Sequence, residues 1–204
     1  MKILITGGAG YIGSTVAHNF IDKKYNVTII DNLVNGSKLN IPKNCEFLNC
    51  DIGNIKKLRK LVIKKYDVVI HFAALIDNQE SISKKRLYLE NNYIKSKKFF
   101  NFCLERGIKN FIFSSTAAVY GKSNVPVNEK SNTKPLAPYG QSKLKFENFL
   151  KKSKQNINYV ILRYFNVAGV ESKMRCGFKI KNNKSLFSNL CKSYLKKKKV
   201  LYFW

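Results

Sequence analysis

Short apolar runs and helix-spaced segments alternate along the first two thirds of this 204-residue chain. "KILIT" at residues 2–6 precedes a glycine cluster, and a helical stretch then runs to about Lys23. "NVTIID" at 26–31 is the next run, followed by a loop with the turn signal Asn35-Gly36. "CEFLNCD" at 45–51 predicts a third strand, and the apolar spacing over 55–65 predicts a helix. "DVVIHFAA" at 67–74 is almost continuously apolar, as expected of a strand buried on both faces. Beyond it the pattern predicts a long helix over much of 87–106, a strand in "NFIFSS" at 110–115, a helix in "PYGQSKLKFENFLKK" at 138–152 and a strand in "NYVILRYF" at 158–165. With no internal repeat and no low-complexity linker, this rhythm predicts an α/β fold, a Rossmann-like doubly wound parallel sheet with helices on both sides.

The first turn of that fold carries chemistry. "TGGAGYIGS" follows the first strand and opens the first helix, and it spaces Gly7, Gly10 and Gly13 as G-x-x-G-x-x-G. Glycine at these places permits a tight turn and close backbone approach to a pyrophosphate, which the helix N-terminus then attracts. Asp31 ends the second strand, 18 residues past Gly13, where a carboxylate accepts both ribose hydroxyls of NAD. The bland alternative is that Asp31-Asn32 merely turns the chain.

Tyr139 and Lys143 stand four residues apart on a predicted helix and so share a face. A free tyrosine, with a pKa near ~10, is a poor base at neutral pH. A neighbouring ammonium and a positive nicotinamide ring would lower that value. Y-x-x-x-K alone is common on lysine-rich helices. What gives it weight is the upstream glycine loop together with Ser114, Ser115 and Thr116 at a strand end, where open parallel sheets bind ligands. His71 closes an apolar strand and reads as a hydrogen-bonded structural residue rather than a base. No His/Cys/Asp cluster has metal-ligand spacing, so no metal is expected.

Composition changes the picture little. The net charge of +26 raises nucleic-acid or acidic-membrane binding. However, the lysines are spread along helical stretches, as on solvated faces, so neither nucleic acid nor membrane is expected as a partner. The five cysteines include no CxxC pair, and an odd number argues against a disulfide framework. With no signal-peptide pattern in "MKILITGG" and no window of membrane-span length, a cytoplasmic location is expected.

Taken together, the glycine loop, Asp31, "CDI", "HFAA", Asn91, "SSTAAVYG", "PYGQSK" and "LRYFNVAG" resemble the extended short-chain dehydrogenase/reductases. Among these they are most similar to the NAD-dependent nucleotide-sugar epimerases that interconvert UDP-galactose and UDP-glucose. The resemblance runs from Met1 to about Gly169 and then fades. It implies NAD as cofactor and a nucleotide sugar as substrate, and it leaves a homodimer open. It implies that Gly7, Gly10, Tyr11, Ile12 and Gly13 hold the pyrophosphate. Asp31, Asn32, Leu33, Val34, Asn35 and Gly36 would hold the adenosine ribose, and Asp51 and Ile52 would flank adenine. Phe72, Ala73 and Ala74 would line the cofactor, Asn91 would support the site, Lys143 would hold the nicotinamide ribose and Phe165 would neighbour the nicotinamide. Tyr139 would be the base, Thr116 would position the reacting sugar oxygen, and Asn166 would contact the substrate's diphosphate side.

Related nucleotide-sugar dehydratases place an Asp-Glu pair directly after the threonine, because expelling water needs an acid and a base. Here Ala117 and Ala118 stand there, which leaves hydride shuttling at C4 without elimination. Family members are longer, so residues 1–169 are expected to form the NAD-binding domain with the catalytic residues. Residues 170–204 would begin a substrate-binding region that is largely missing through truncation. Its loss would leave Leu201, Tyr202, Phe203 and Trp204 without a partner, and cofactor binding is expected to survive better than catalysis. The alternatives are another epimerase or oxidoreductase of the superfamily, or an inactive NAD-binding module.

Overall fold

The structure, a computed structural model, describes residues 1–153, 157–177 and 186–196. Strands β1 (Lys2–Thr6), β2 (Asn26–Asp31), β3 (Glu46–Asn49), β4 (Val68–His71), β5 (Asn110–Thr116) and β6 (Asn158–Tyr164) form one sheet. They lie in the order β3-β2-β1-β4-β5-β6, every neighbouring pair parallel. The chain builds outward from β1 in one direction and then returns to build outward from β4 in the other. The strand order therefore reverses between β1 and β4, and the crevice above their carboxyl ends is where such sheets take ligands.

Alternation along the strands sends side chains to two cores. Ile3, Ile5, Val27 and Ile29 face α1 (Tyr11–Asp22) and pack with its Ala17. Leu4, Ile30 and Val69 point the other way, into a layer made by α2 (Ile55–Leu61), α5 (Ser96–Glu105) and α6 (Pro138–Lys152). That second core is aromatic: the Phe146 ring lies 4.6 Å from Phe113 and 6.3 Å from Phe111, centroid to centroid. Both faces of the sheet are thus covered, which explains why β1 and β4 read as unbroken apolar runs.

The predicted long helix is present but not uniform. It consists of α4 (Lys85–Leu89), a π-helical segment (Glu90–Lys95) and α5, running without a break. Such wide turns are uncommon and concentrate at functional sites. A short α3 (Asn78–Ser83) and a 3-10 turn (Ala117–Val119) also lie outside the sequence expectation. After β6 the chain turns back over α1. The Tyr11 hydroxyl donates to the Gly169 carbonyl, and the Asn40 side chain exchanges hydrogen bonds with the Gly177 backbone. Arg175 bridges Asp22 and Glu171. Helix α7 (Leu186–Leu195) follows, while Leu201, Tyr202, Phe203 and Trp204 lie outside the described residues. All five cysteines are free, and no helix among the described residues is long and apolar enough to cross a membrane.

His71 occupies the structural role expected of it. Its ring bonds Thr6 Oγ1 at 2.7 Å and Ser96 Oγ at 2.9 Å, and it stacks on Phe99 and Phe113. Burial, and secondarily the nearby Lys143 charge, depress its pKa from 6.5 to about 3. Below about pH 6.5 the unfolded chain takes up a proton that the folded chain refuses, so stability is present above that pH and is lost as pH falls toward about 3. Urea midpoints should therefore fall as pH drops from 7 to 4, by up to about 1.4 kcal/mol per pH unit from this ring. In His71→Gln, which starts less stable, the pH dependence should be visibly shallower; an unchanged slope would refute the assignment.

Candidate active site

The site begins as a glycine cradle at the switch point. Gly7 leaves β1 with φ +71°, a conformation that glycine adopts without strain. A Cβ there would lie 2.6 Å from the Ala73 nitrogen and 2.9 Å from the Phe72 carbonyl carbon. The loop after β1 is thereby pressed against residues 72–74 after β4. A Cβ on Gly13 would collide with the Gly7 carbonyl oxygen, and one on Gly10 would sit 3.2 Å from the same atom. The N-cap of α1 is Gly10, with no capping side chain, so the positive end of the helix dipole faces the loop. Backbone closes in on Gly7, Gly10 and Gly13, and the turn's shape and polarity fit the pyrophosphate of a dinucleotide.

Asp31 closes the cradle from β2. Its Oδ2 accepts from the Ala9 N–H at 3.0 Å, and its Oδ1 accepts from Leu33 at 2.8 Å, which leaves each oxygen a lone pair for a ligand hydroxyl. Asn32, Val34 and Asn35 are exposed in the loop beyond, and Gly36 returns against Ala9 closely enough that a Cβ would approach it to 2.8 Å. Asp51 sits across this end of the crevice. It pairs with Lys95 at 2.8 Å and accepts from Asn32 at 3.0 Å and from Gly53 at 2.8 Å. Burial pushes the Asp51 pKa upward, and the Lys95 and Gly53 bonds outweigh it, so the carboxyl is held below its usual range. Ile52 follows half-buried Asp51, with its side chain in the aromatic core and its backbone at this end of the crevice.

Tyr139, Lys143 and Thr116 meet at the carboxyl end of β5. Lys143 is 2% exposed, donates to the Ser114 carbonyl at 2.7 Å and lies 4.8 Å from the Phe113 ring centroid. Tyr139 is buried too, has the Thr116 side chain near enough to favour its ionised form, and packs edge-on against Tyr88. Thr116 also caps the following 3-10 turn, accepting from the Ala118 N–H. Burial drives the lysine down to about 7, against the pull of Glu147, and it raises the phenol above 10.0, against the influence of the nearby Thr116 side chain. The pocket by itself therefore does not pair an ammonium with a phenolate at any one pH. The phenol needs added positive charge nearby to become a base.

Several residues of the site were missed from sequence. Asn92, at the π turn, is buried; it accepts from the Leu75 N–H at 2.8 Å and donates to the Leu75 carbonyl at 2.8 Å and to Ser142 Oγ at 3.2 Å. Asn91 is half-buried and donates to Asn92. The wide turn aims Asn92 at α6, Lys95 at Asp51 and Ser96 at His71 from one helix. The adjacent pair Asn91-Asn92 was the only local signal. On the far side of Thr116, Ala117, Tyr120, Gly121, Val125, Pro126 and Phe165 line a cavity of about 450 Å³. Phe165 and Asn166 are exposed at its rim and beyond.

A six-stranded parallel sheet with a glycine cradle at its switch point and a buried Tyr-Lys pair beside it defines a Rossmann-like fold of the dinucleotide-binding class. Residues 3–203 match the NAD dependent epimerase/dehydratase family, and the chain belongs to that family. A UDP-glucose 4-epimerase of Azospirillum brasilense is 41% identical over 180 residues, 86% of this chain and 52% of that protein. A crystal structure of a UDP-glucose 4-epimerase, 33% identical, superimposes with a TM-score of 0.92 over 98% of this chain and 62% of its own. Another, from Bifidobacterium longum in complex with NAD+ and UDP, is 30% identical, with a TM-score of 0.82 over 93% of this chain and 60% of its own. The chain spans about half the length of the curated relatives it matches.

Gly7→Ala tests the cradle. The added methyl meets backbone, not a flexible side chain, and sits at a positive φ, so a loss of about 1–3 kcal/mol is expected. A thermal or urea midpoint equal to the parent's would show that the turn is not so tightly held.

Proposed function

We propose that this chain carries the cofactor-binding and proton-transferring part of an NAD-dependent nucleotide-sugar 4-epimerase that interconverts UDP-galactose and UDP-glucose. Residues 1–169 are read as the NAD-binding domain and 170–204 as the start of the substrate-binding region. The observation that carries this reading is buried Tyr139 beside Thr116 and one helical turn from buried Lys143, with Ala117 and Ala118 where elimination would need an acid and a base. Family membership and the names of its relatives support it.

NAD, when bound, supplies the acceptance and return of a hydride at sugar C4. Gly7, Gly10, Tyr11, Ile12 and Gly13 would hold its pyrophosphate, Asp31 and residues 32–36 a ribose, and Asp51 with Ile52 the adenine end. Phe72, Ala73, Ala74, Asn91, Lys143 and Phe165 would line the other end. Tyr139, as the phenolate, takes the proton of the sugar 4-hydroxyl and gives it back to that same oxygen once the keto sugar has turned to present the opposite face of C4 for hydride return. Thr116 holds that same sugar oxygen within reach of the phenol, and Asn166 contacts the diphosphate side of the substrate. Lys143, held by the Ser114 carbonyl, supplies positive charge one turn along the helix from the phenol. The two alanines move no protons, so the sugar keeps its hydroxyls.

The test is incubation of the folded chain with NAD and UDP-galactose, with UDP-glucose as the readout and NAD uptake followed separately by fluorescence. Tyr139→Phe should keep the fold and lower conversion about 10²- to 10⁴-fold. Equal conversion by this variant would overturn the role of the phenol. NAD uptake without any conversion by the parent would favour a non-catalytic dinucleotide-binding module.

A further inference from the structure

Glu147 is a carboxylate with no solvent exposure, and the proposed chemistry gives it no task. Burying such a group costs several kcal/mol unless it is paired and hydrogen-bonded on all sides. It lies two helical turns beyond Tyr139 and one beyond Lys143, so the three share one face of α6. Its partners come from both neighbouring strands. Ser115 and Arg163 are register partners on parallel β5 and β6, and their side chains therefore emerge side by side toward α6. Ser115 Oγ donates to Glu147 Oε1, Arg163 Nε approaches both carboxylate oxygens at 3.1 and 3.2 Å, and Arg163 Nη2 donates to Oε2 at 2.6 Å. Lys151 adds a more distant contact at 3.8 Å.

Three consecutive residues of β5 thus address three residues of one helix face: Ser114 holds Lys143, Ser115 holds Glu147 and Thr116 meets Tyr139. The clamp also extends outward. The Arg163 guanidinium lies 4.8 Å from the Tyr120 ring centroid and points Nη1 at the Glu129 carbonyl at 3.4 Å, so it braces the loop that walls the cavity beyond Thr116.

We propose that Glu147 is a positioning residue for the epimerase site: clamped between Ser115 and Arg163, its carboxylate fixes the end of β5 against α6 and keeps a negative charge behind Lys143. This rests on the functional reading above. The charged and titratable groups facing Lys143 are Tyr139 and Glu147 on its own helix and His71 on β4, with Arg163 on β6 behind Glu147. His71 is neutral, so Glu147 is the anion that opposes the depression of Lys143 by burial.

The experiment reads Lys143 directly, in protein without cofactor. The ε-carbon resonances of ¹³C-labelled lysines are followed against pH, and Lys143→Met identifies the signal. In Glu147→Gln, an isostere without the charge, the Lys143 midpoint should fall by about one pH unit or more. Conversion of UDP-galactose should lose kcat about tenfold or more with little change in KM. If Glu147→Gln does not fold, the Glu147→Gln/Arg163→Gln double variant, which removes the buried pair together, gives the same reading. A Lys143 midpoint within 0.3 units of the parent's, by a cut-off of roughly the precision such titrations reach, would overturn the proposal. Loss of fold in both variants would do so too, since the pair would then be a requirement of folding and not of the site. Because the titration needs neither NAD nor turnover, a chain that fails to epimerise refutes the functional reading and leaves this measurement standing.

Discussion

A lysine ammonium enclosed by protein is the constraint around which this domain is arranged. Lys143 lies under the end of the sheet, where its Nζ reaches the Ser114 carbonyl. Ser114 lies one residue past the last register pair of β4 and β5, His71 with Phe113, where the ladder on that side of β5 has ended. Helix α6 must therefore dock with its first turns over the carboxyl edge of β5 and its later turns over the strand itself. Phe146 and Leu150 meet the second requirement by filling the aromatic core beneath. The polar stripe of Tyr139, Lys143 and Glu147 then lies along the ends of β5 and β6, where Ser114, Ser115, Thr116 and Arg163 receive it.

Charge is handled differently inside and outside. The formal charge of +26 belongs largely to exposed lysines, among them Lys56, Lys57, Lys60, Lys97, Lys98 and Lys152 on the outer faces of α2, α5 and α6. Inside, charges are met directly: Glu147 by Arg163, Asp51 by Lys95 and Asp31 by the Ala9 and Leu33 N–H groups. Lys143 is the exception, held by a carbonyl and only distantly balanced by a carboxylate, and its basicity drops accordingly. Beside this partly discharged lysine the phenol is undissociated, and a positively charged ligand would favour its ionisation.

The π turn links the two ends of the crevice. One wide turn in an otherwise regular helix brings Asn92 to Leu75 and α6, Lys95 to Asp51 and Ser96 to His71. In a regular α-helix residues 92, 95 and 96 would share one face, whereas here their partners lie on different elements. The apolar spacing of residues 87–106 revealed the helix because burial of Phe99, Phe100 and Phe102 follows it. It could not reveal the inserted turn, which is visible only in where the polar residues end up.

Local patterns did most of the work of describing the scaffold. Two-residue alternation and apolar runs located all six strands, since each strand's burial is written into its own residues. The glycines of the first turn were legible for the same reason: a positive φ and a backbone contact admit no side chain, whatever lies elsewhere. Tyr139 and Lys143 were legible as a helical pair, but not as a raised phenol and a depressed ammonium, because those values come from enclosure by β4 and β5. Glu147 meets Ser115 across 32 residues of chain and Arg163 across 16, and only the parallel register of two strands decides that they converge. What residues demand of their own backbone was settled by the sequence alone. Which distant side chains share a buried space, and what that does to their protons, was decided by the tertiary fold.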